Sequence, residues 1–163
     1  VKKIKLTKST NNELLENSML LYLGNRKHSE KILQKQISAI NKSKKETIDA
    51  LHYAKELTLM LYDSLRQNDL TSFSDILNEG WETKKKFTAE VTNNQIENIT
   101  KKLKKYGAES LKITGAGGGG HIYVYAPKNK HRKIINEIPK LGLRNIEFKY
   151  TNLGAQIFDV SNL

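Results

Sequence analysis

Residues Gly115, Ala116, Gly117, Gly118, Gly119 and Gly120 run without a break into His121, Ile122, Tyr123, Val124 and Tyr125. Five of the chain's ten glycines sit in that run. Glycine gives up more backbone freedom on folding than any other residue. Such a run weakens a fold unless the backbone must adopt dihedrals, or approach neighbours, that a Cβ forbids. The segment after the run is ordered in pattern. Ile122 and Val124 alternate with His121, Tyr123 and Tyr125, the period of two expected of a strand. The junction therefore reads as a built loop feeding a strand rather than as a linker. Successive peptide N–H groups in such a loop can form a concave anion site.

Two familiar phosphate loops are excluded. Gly115, Gly117 and Gly120 have the spacing of a dinucleotide fingerprint, but that fingerprint needs a helix after the loop, where its N-terminus meets the pyrophosphate. Here the loop leads into a strand. No Gly-Lys-Ser/Thr closes the loop either, so the Walker pattern fails. His28, His52, His121 and His131 have no partners at ligand spacing, and the chain has no Cys. No metal site and no disulfide are expected.

The remaining pattern is helical first and β later. Ser18 to Leu23 reads as a buried strand. A helix is expected from Lys27 to Ile40, with Ile32, Leu33, Gln36, Ile37 and Ile40 on one face. Ser43 and Glu46 have capping-box spacing, and the helix they open carries apolar residues from Ala50 to Leu65. Asn68 and Asp69 cap the next helix, with Leu70, Phe73, Leu77 and Trp81 as its stripe; Trp81 is expected in the core. Thr92 to Gln95 repeats the capping-box pattern, and Gly107 closes that helix. Short strands are expected at Ser110–Ile113, His121–Ala126, Asn145–Tyr150 and Gln156–Val160, with a helix over Lys130–Lys140. This is an α+β order.

At 163 residues the chain suits one domain spanning 1–163. Its net charge of +11 leaves nucleic acid, an acidic membrane surface or phosphorylated small molecules as partners. Most of the lysines, as in Lys101, Lys102, Lys104 and Lys105, read as a solvated helix face. No apolar run is long enough to span a membrane, and no signal-peptide pattern opens the chain. With no Cys, the expected location is the cytoplasm. The chain begins at Val1, so a fragment is expected.

The stretch Lys112, Ile113, Thr114 and then Gly115 to Gly120, followed by a strand and Ala126-Pro127, resembles the third motif of the GHMP sugar kinases. Within that superfamily it is most similar to the D-glycero-D-manno-heptose 7-phosphate kinase group. Leu20 to Gly24 with Ser29 to Gln36, Leu77 to Lys85, and Asn152 to Ile157 resemble that group in the same order. Leu23 stands where the family commonly has Thr, and His121 where it more often has an apolar residue. The resemblance implies a C-terminal kinase domain with a ferredoxin-like antiparallel sheet of about four strands packed against helices. It also implies ATP and Mg²⁺ as cofactors, a phosphorylated sugar as substrate, and an N-terminal ATP-binding domain as partner. The ATP-phosphate loop and the catalytic Asp of that family have no counterpart in this chain, so no catalytic residue is expected in it and the chain alone is expected to be inactive. Gly115, Ala116, Gly117, Gly118, Gly119 and Gly120 are implied as the active-site loop, and Arg26 or Lys27, with Lys84, as substrate-binding residues. Two other readings remain: a basic nucleic-acid module stacking bases on His121, Tyr123 and Tyr125, and a non-catalytic regulatory domain.

Overall fold

The structure, a computed structural model, describes residues 4–24 and 29–151. In chain order its elements are α1 (Lys8–Glu16), β1 (Ser18–Gly24), α2 (Ser29–Asn41), α3 (Lys45–Arg66), α4 (Leu70–Lys85), a 3₁₀ turn (Ala89–Val91), α5 (Asn94–Tyr106), β2 (Ser110–Ile113), β3 (Gly120–Tyr125), α6 (Lys128–Glu137), a second 3₁₀ turn (Pro139–Leu141) and β4 (Arg144–Ile146). The four strands form one sheet in the order β2-β3-β1-β4. All its pairings are antiparallel. That order is the ferredoxin-like one.

The two sheet faces are set by the register. On one face Leu111, Ile113, Ile122, Val124, Met19 and Leu21 are buried. They join Ile96, Ile99 and Leu103 of α5, Ile134 of α6 and Trp81 in the main core. Trp81 is 2% exposed, as its place in the apolar stripe predicts. On the opposite face Tyr125 packs with Leu70, Phe73 and Leu77 of α4, and Tyr123, Leu61 and Leu65 pack against this second cluster. The α3–α4 pair therefore covers part of a face that a bare ferredoxin-like domain would leave open.

Local signals account for most boundaries. The Asp69 carboxylate accepts from Ser72 N at 2.9 Å and starts α4. Gly107 closes α5 at φ 112°, a left-handed conformation that glycine takes without a Cβ clash. Pro139 opens a 3₁₀ turn after α6, so the helix ends at Glu137 rather than continuing to Lys140.

Several expectations change. Ser43 has φ 51°, and α3 starts after Lys44 with no side-chain cap, so the Ser43–Glu46 capping box does not form. At α5 the cap is Asn93, whose side chain accepts from Ile96 N at 3.0 Å, not Thr92. The stripe expected to bury α2 does not: Ile32 is 4% exposed, but Leu33, Ile37 and Ile40 are 49%, 56% and 39% exposed. Strand β4 is three residues, Arg144–Ile146, rather than Asn145–Tyr150. Helix α1, capped by Thr7, has too weak an apolar pattern to be read from sequence. The strand expected at Gln156–Val160 lies outside the described residues, and no helix among those described is long and apolar enough to cross a membrane.

Candidate functional site

The glycine loop joins β2 to β3 at the end of the sheet. Gly115, Gly117, Gly118, Gly119 and Gly120 all have positive φ, at 70°, 102°, 70°, 144° and 87°. Two positions show why side chains are excluded. A Cβ on Gly117 would lie 2.7 Å from Val91 O and 2.9 Å from Val91 Cα. A Cβ on Gly118 would lie 2.6 Å from Ile32 Cδ1 and 3.2 Å from Glu90 O. The run thus lets the loop press against the Ala89–Val91 turn and under α2.

The loop is held from three sides. From behind, Gly118 N donates to Val91 O at 2.8 Å. From above, α2 lays Ile32 on Gly118, and Lys35 of the same helix pairs with Glu90. The Lys35 ammonium, and then the Thr88 hydroxyl, hold the Glu90 carboxyl down at about 2. From the side, the Lys84 ammonium donates to Gly115 O and, at 3.4 Å, to Ile113 O. At the base of the loop Thr114 N donates to His121 O at 2.9 Å.

These bonds divide the loop's amides. The N–H of Gly118 is spent on Val91. Among the described residues, the amides of Gly115, Ala116, Gly117 and Gly119 have no acceptor. Buried backbone donors are rarely left unpaired, and Gly117 and Gly119 are buried residues. A loop with several acceptor-free amides suits an anion.

Lys84 contacts the loop's carbonyls. Arg26 and Lys27 lie outside the described residues; Gly24 pairs with Gly120 across β1 and β3. Lys112 opens the motif that the sequence offers but is not among the expected substrate-binding residues. It sits with Lys84 on the lining of a cavity of about 280 Å³ between α3 and α4, and burial lowers its ammonium pKa. The stacking platform suggested by His121, Tyr123 and Tyr125 is not open along its length. Tyr125 is 3% exposed and meets Phe73 edge-on at 5.6 Å between ring centroids.

Residues 61–142 match the family model described as GHMP kinases C terminal. The chain is 27% identical over 111 residues to D-glycero-alpha-D-manno-heptose 7-phosphate kinase of Campylobacter jejuni, covering 68% of this chain and 33% of that protein. The crystal structure of L. major mevalonate kinase in complex with R-mevalonate aligns with a TM-score of 0.67 at 15% identity, over 76% of this chain and 38% of that one. That of a D-glycero-D-manno-heptose 1-phosphate kinase from Bacteroides thetaiotaomicron aligns with a TM-score of 0.56 at 23% identity, over 90% and 36%. The chain spans 33% and 16% of the lengths of the two curated relatives it matches.

Proposed function

Because the chain belongs to the GHMP kinases, as their C-terminal domain, we propose that it forms one wall of the active site of an ATP-dependent sugar kinase acting on a phosphorylated heptose. The observation that carries this reading is the clamped loop with acceptor-free amides at Gly115, Ala116, Gly117 and Gly119. Phosphoryl transfer depends mainly on positioning and on neutralising charge. Preorganised amides do both without reorganising as the reaction proceeds. ATP supplies the phosphoryl group when bound; the loop amides would hold phosphoryl oxygens. Lys84 fixes where the loop begins, and Ile32 and Val91 fix its depth.

The described residues gather no three His, Cys, Asp or Glu side chains as a metal site. The charge neutralisation assigned to this chain comes from amides and cations. The general base and the rest of the nucleotide site belong, on this reading, to an N-terminal kinase domain.

The test is to incubate the intact protein with ATP and D-glycero-D-manno-heptose 7-phosphate and to follow the sugar bisphosphate by ³¹P NMR. Transfer to the phosphorylated sugar, and none by this chain alone, is expected. Failure to phosphorylate any sugar or sugar phosphate in a panel would overturn the reading.

A further inference from the structure

Tyr123 and Tyr125 pack with the α3–α4 cluster; in the end row of that sheet face Tyr22 and His121 are half-buried and Arg144 is exposed. Register puts Arg144 opposite Tyr22 and Tyr22 opposite His121. The three planar groups stand side by side across β4, β1 and β3. The Arg144 guanidinium carbon lies 4.7 Å from the Tyr22 ring centroid. The Tyr22 and His121 rings lie 5.1 Å apart, tilted by 51°. His121 directly follows Gly120, so the row ends at the base of the glycine loop.

Three features mark the row as a receptor. The cation–π contact with Tyr22 restrains the guanidinium without using its N–H donors. Among the described residues no carboxylate lies within ion-pair reach of Arg144. The next row on the same face carries another cation, Lys112, opposite Tyr123. A guanidinium fork matches the oxygens of a phosphomonoester in a way that an ammonium does not.

We propose that Arg144, braced by Tyr22 and flanked by His121, binds the phosphate that the sugar substrate already carries. This rests on the kinase reading and adds to it the place where the far end of the substrate sits. Neighbouring strands lie about 4.8 Å apart, so Arg144 stands about 10 Å from the strand that leaves the loop. That is comparable to the length of a seven-carbon sugar phosphate. A phosphate held at Arg144 would leave the opposite end of the sugar at the loop, where transfer takes place. The row would thus select acceptors by length as well as by charge.

The test compares Arg144→Gln and Arg144→Lys with wild type in the intact protein. Arg144 is exposed on a strand whose partner is β1, so both variants should fold. For R144Q, KM for heptose 7-phosphate should rise about 10- to 100-fold, the loss expected for a hydrogen bond between charged groups. KM for ATP should stay within about twofold, the spread of a near-neutral surface change, and R144K should fall between. An unchanged KM for the sugar phosphate, or equal rises in both KM values, would overturn the proposal. A second readout stands apart from turnover: a ³¹P NMR titration with inorganic phosphate. If wild type phosphorylates no sugar but binds phosphate, and R144Q does not, the anion site stands and the kinase reading falls. Equal phosphate binding by wild type and R144Q, or none by either, overturns the site.

Discussion

Replacing Gly117 by alanine isolates the backbone contact that sets the depth of the loop. The new Cβ would lie 2.7 Å from Val91 O and 2.9 Å from Val91 Cα. Neither atom belongs to a mobile side chain, and the same Val91 carbonyl already accepts from Gly118 N at 2.8 Å. The cost has two parts. A left-handed φ of 102° costs an L-residue about 1–2 kcal/mol. Forcing a methyl group into packed structure costs about 1–3 kcal/mol more. Gly117→Ala should therefore destabilise by about 2–5 kcal/mol. Gly118→Ala is the control. Its Cβ would meet Ile32 Cδ1 at 2.6 Å, the far end of a side chain that can rotate away. What remains there is the φ part, about 1–2 kcal/mol, and a milder backbone approach, 3.2 Å from Glu90 O. Urea denaturation of both variants, followed by circular dichroism, measures the difference. If Gly118→Ala proves as damaging as Gly117→Ala, the contact with Val91 does not set the loop.

Lys84→Met should release Gly115 and Ile113 carbonyls and misplace the loop. Steady-state kinetics of the intact protein should show kcat/KM falling about 10- to 100-fold, with partial rescue by Lys84→Arg; unaltered kinetics would remove Lys84 from the loop's support. Glu90 carries a pH signature. Its folded pKa of about 2 lies below the ordinary 4.5, so its stabilisation is present above about pH 5 and fades as pH falls toward 2. The pair with Lys35 is largely exposed, which limits the effect to about 1 kcal/mol or less. The stability gap between wild type and Glu90→Gln, from denaturation at several pH values, should shrink over that interval.

Much of this domain was legible because its signals are local. The alternation from His121 to Tyr125, the cap at Asp69, Gly107 and the Leu70–Trp81 stripe each report their own segment, and each segment folds accordingly. What sequence could not supply is long-range. The stripe on α2 has helical spacing, yet only Ile32 has a neighbour to bury it; periodicity predicts a face and says nothing of what lies opposite. Ser43 has capping chemistry but turns left-handed, because the chain must reverse between α2 and α3. At the site, the run of glycines was conspicuous while its cause was hidden. Val91 lies far along the chain from the loop, and no local pattern pairs them. The row of Arg144, Tyr22 and His121 joins residues from three strands and becomes visible only through register.

The seat of Ile32 on Gly118 has a consequence for cooperativity. Ile32 is the only buried residue among those described in α2, and Lys35, one turn on, is paired with the turn that backs the loop. The helix is thus fastened in part through the loop it covers, and the loop in part by that helix. Opening the helix uncovers Gly118, so the stabilities of helix and loop are coupled. Free energy gained where an anion orders the loop would also appear as protection of α2, a helix that need not touch the anion at all.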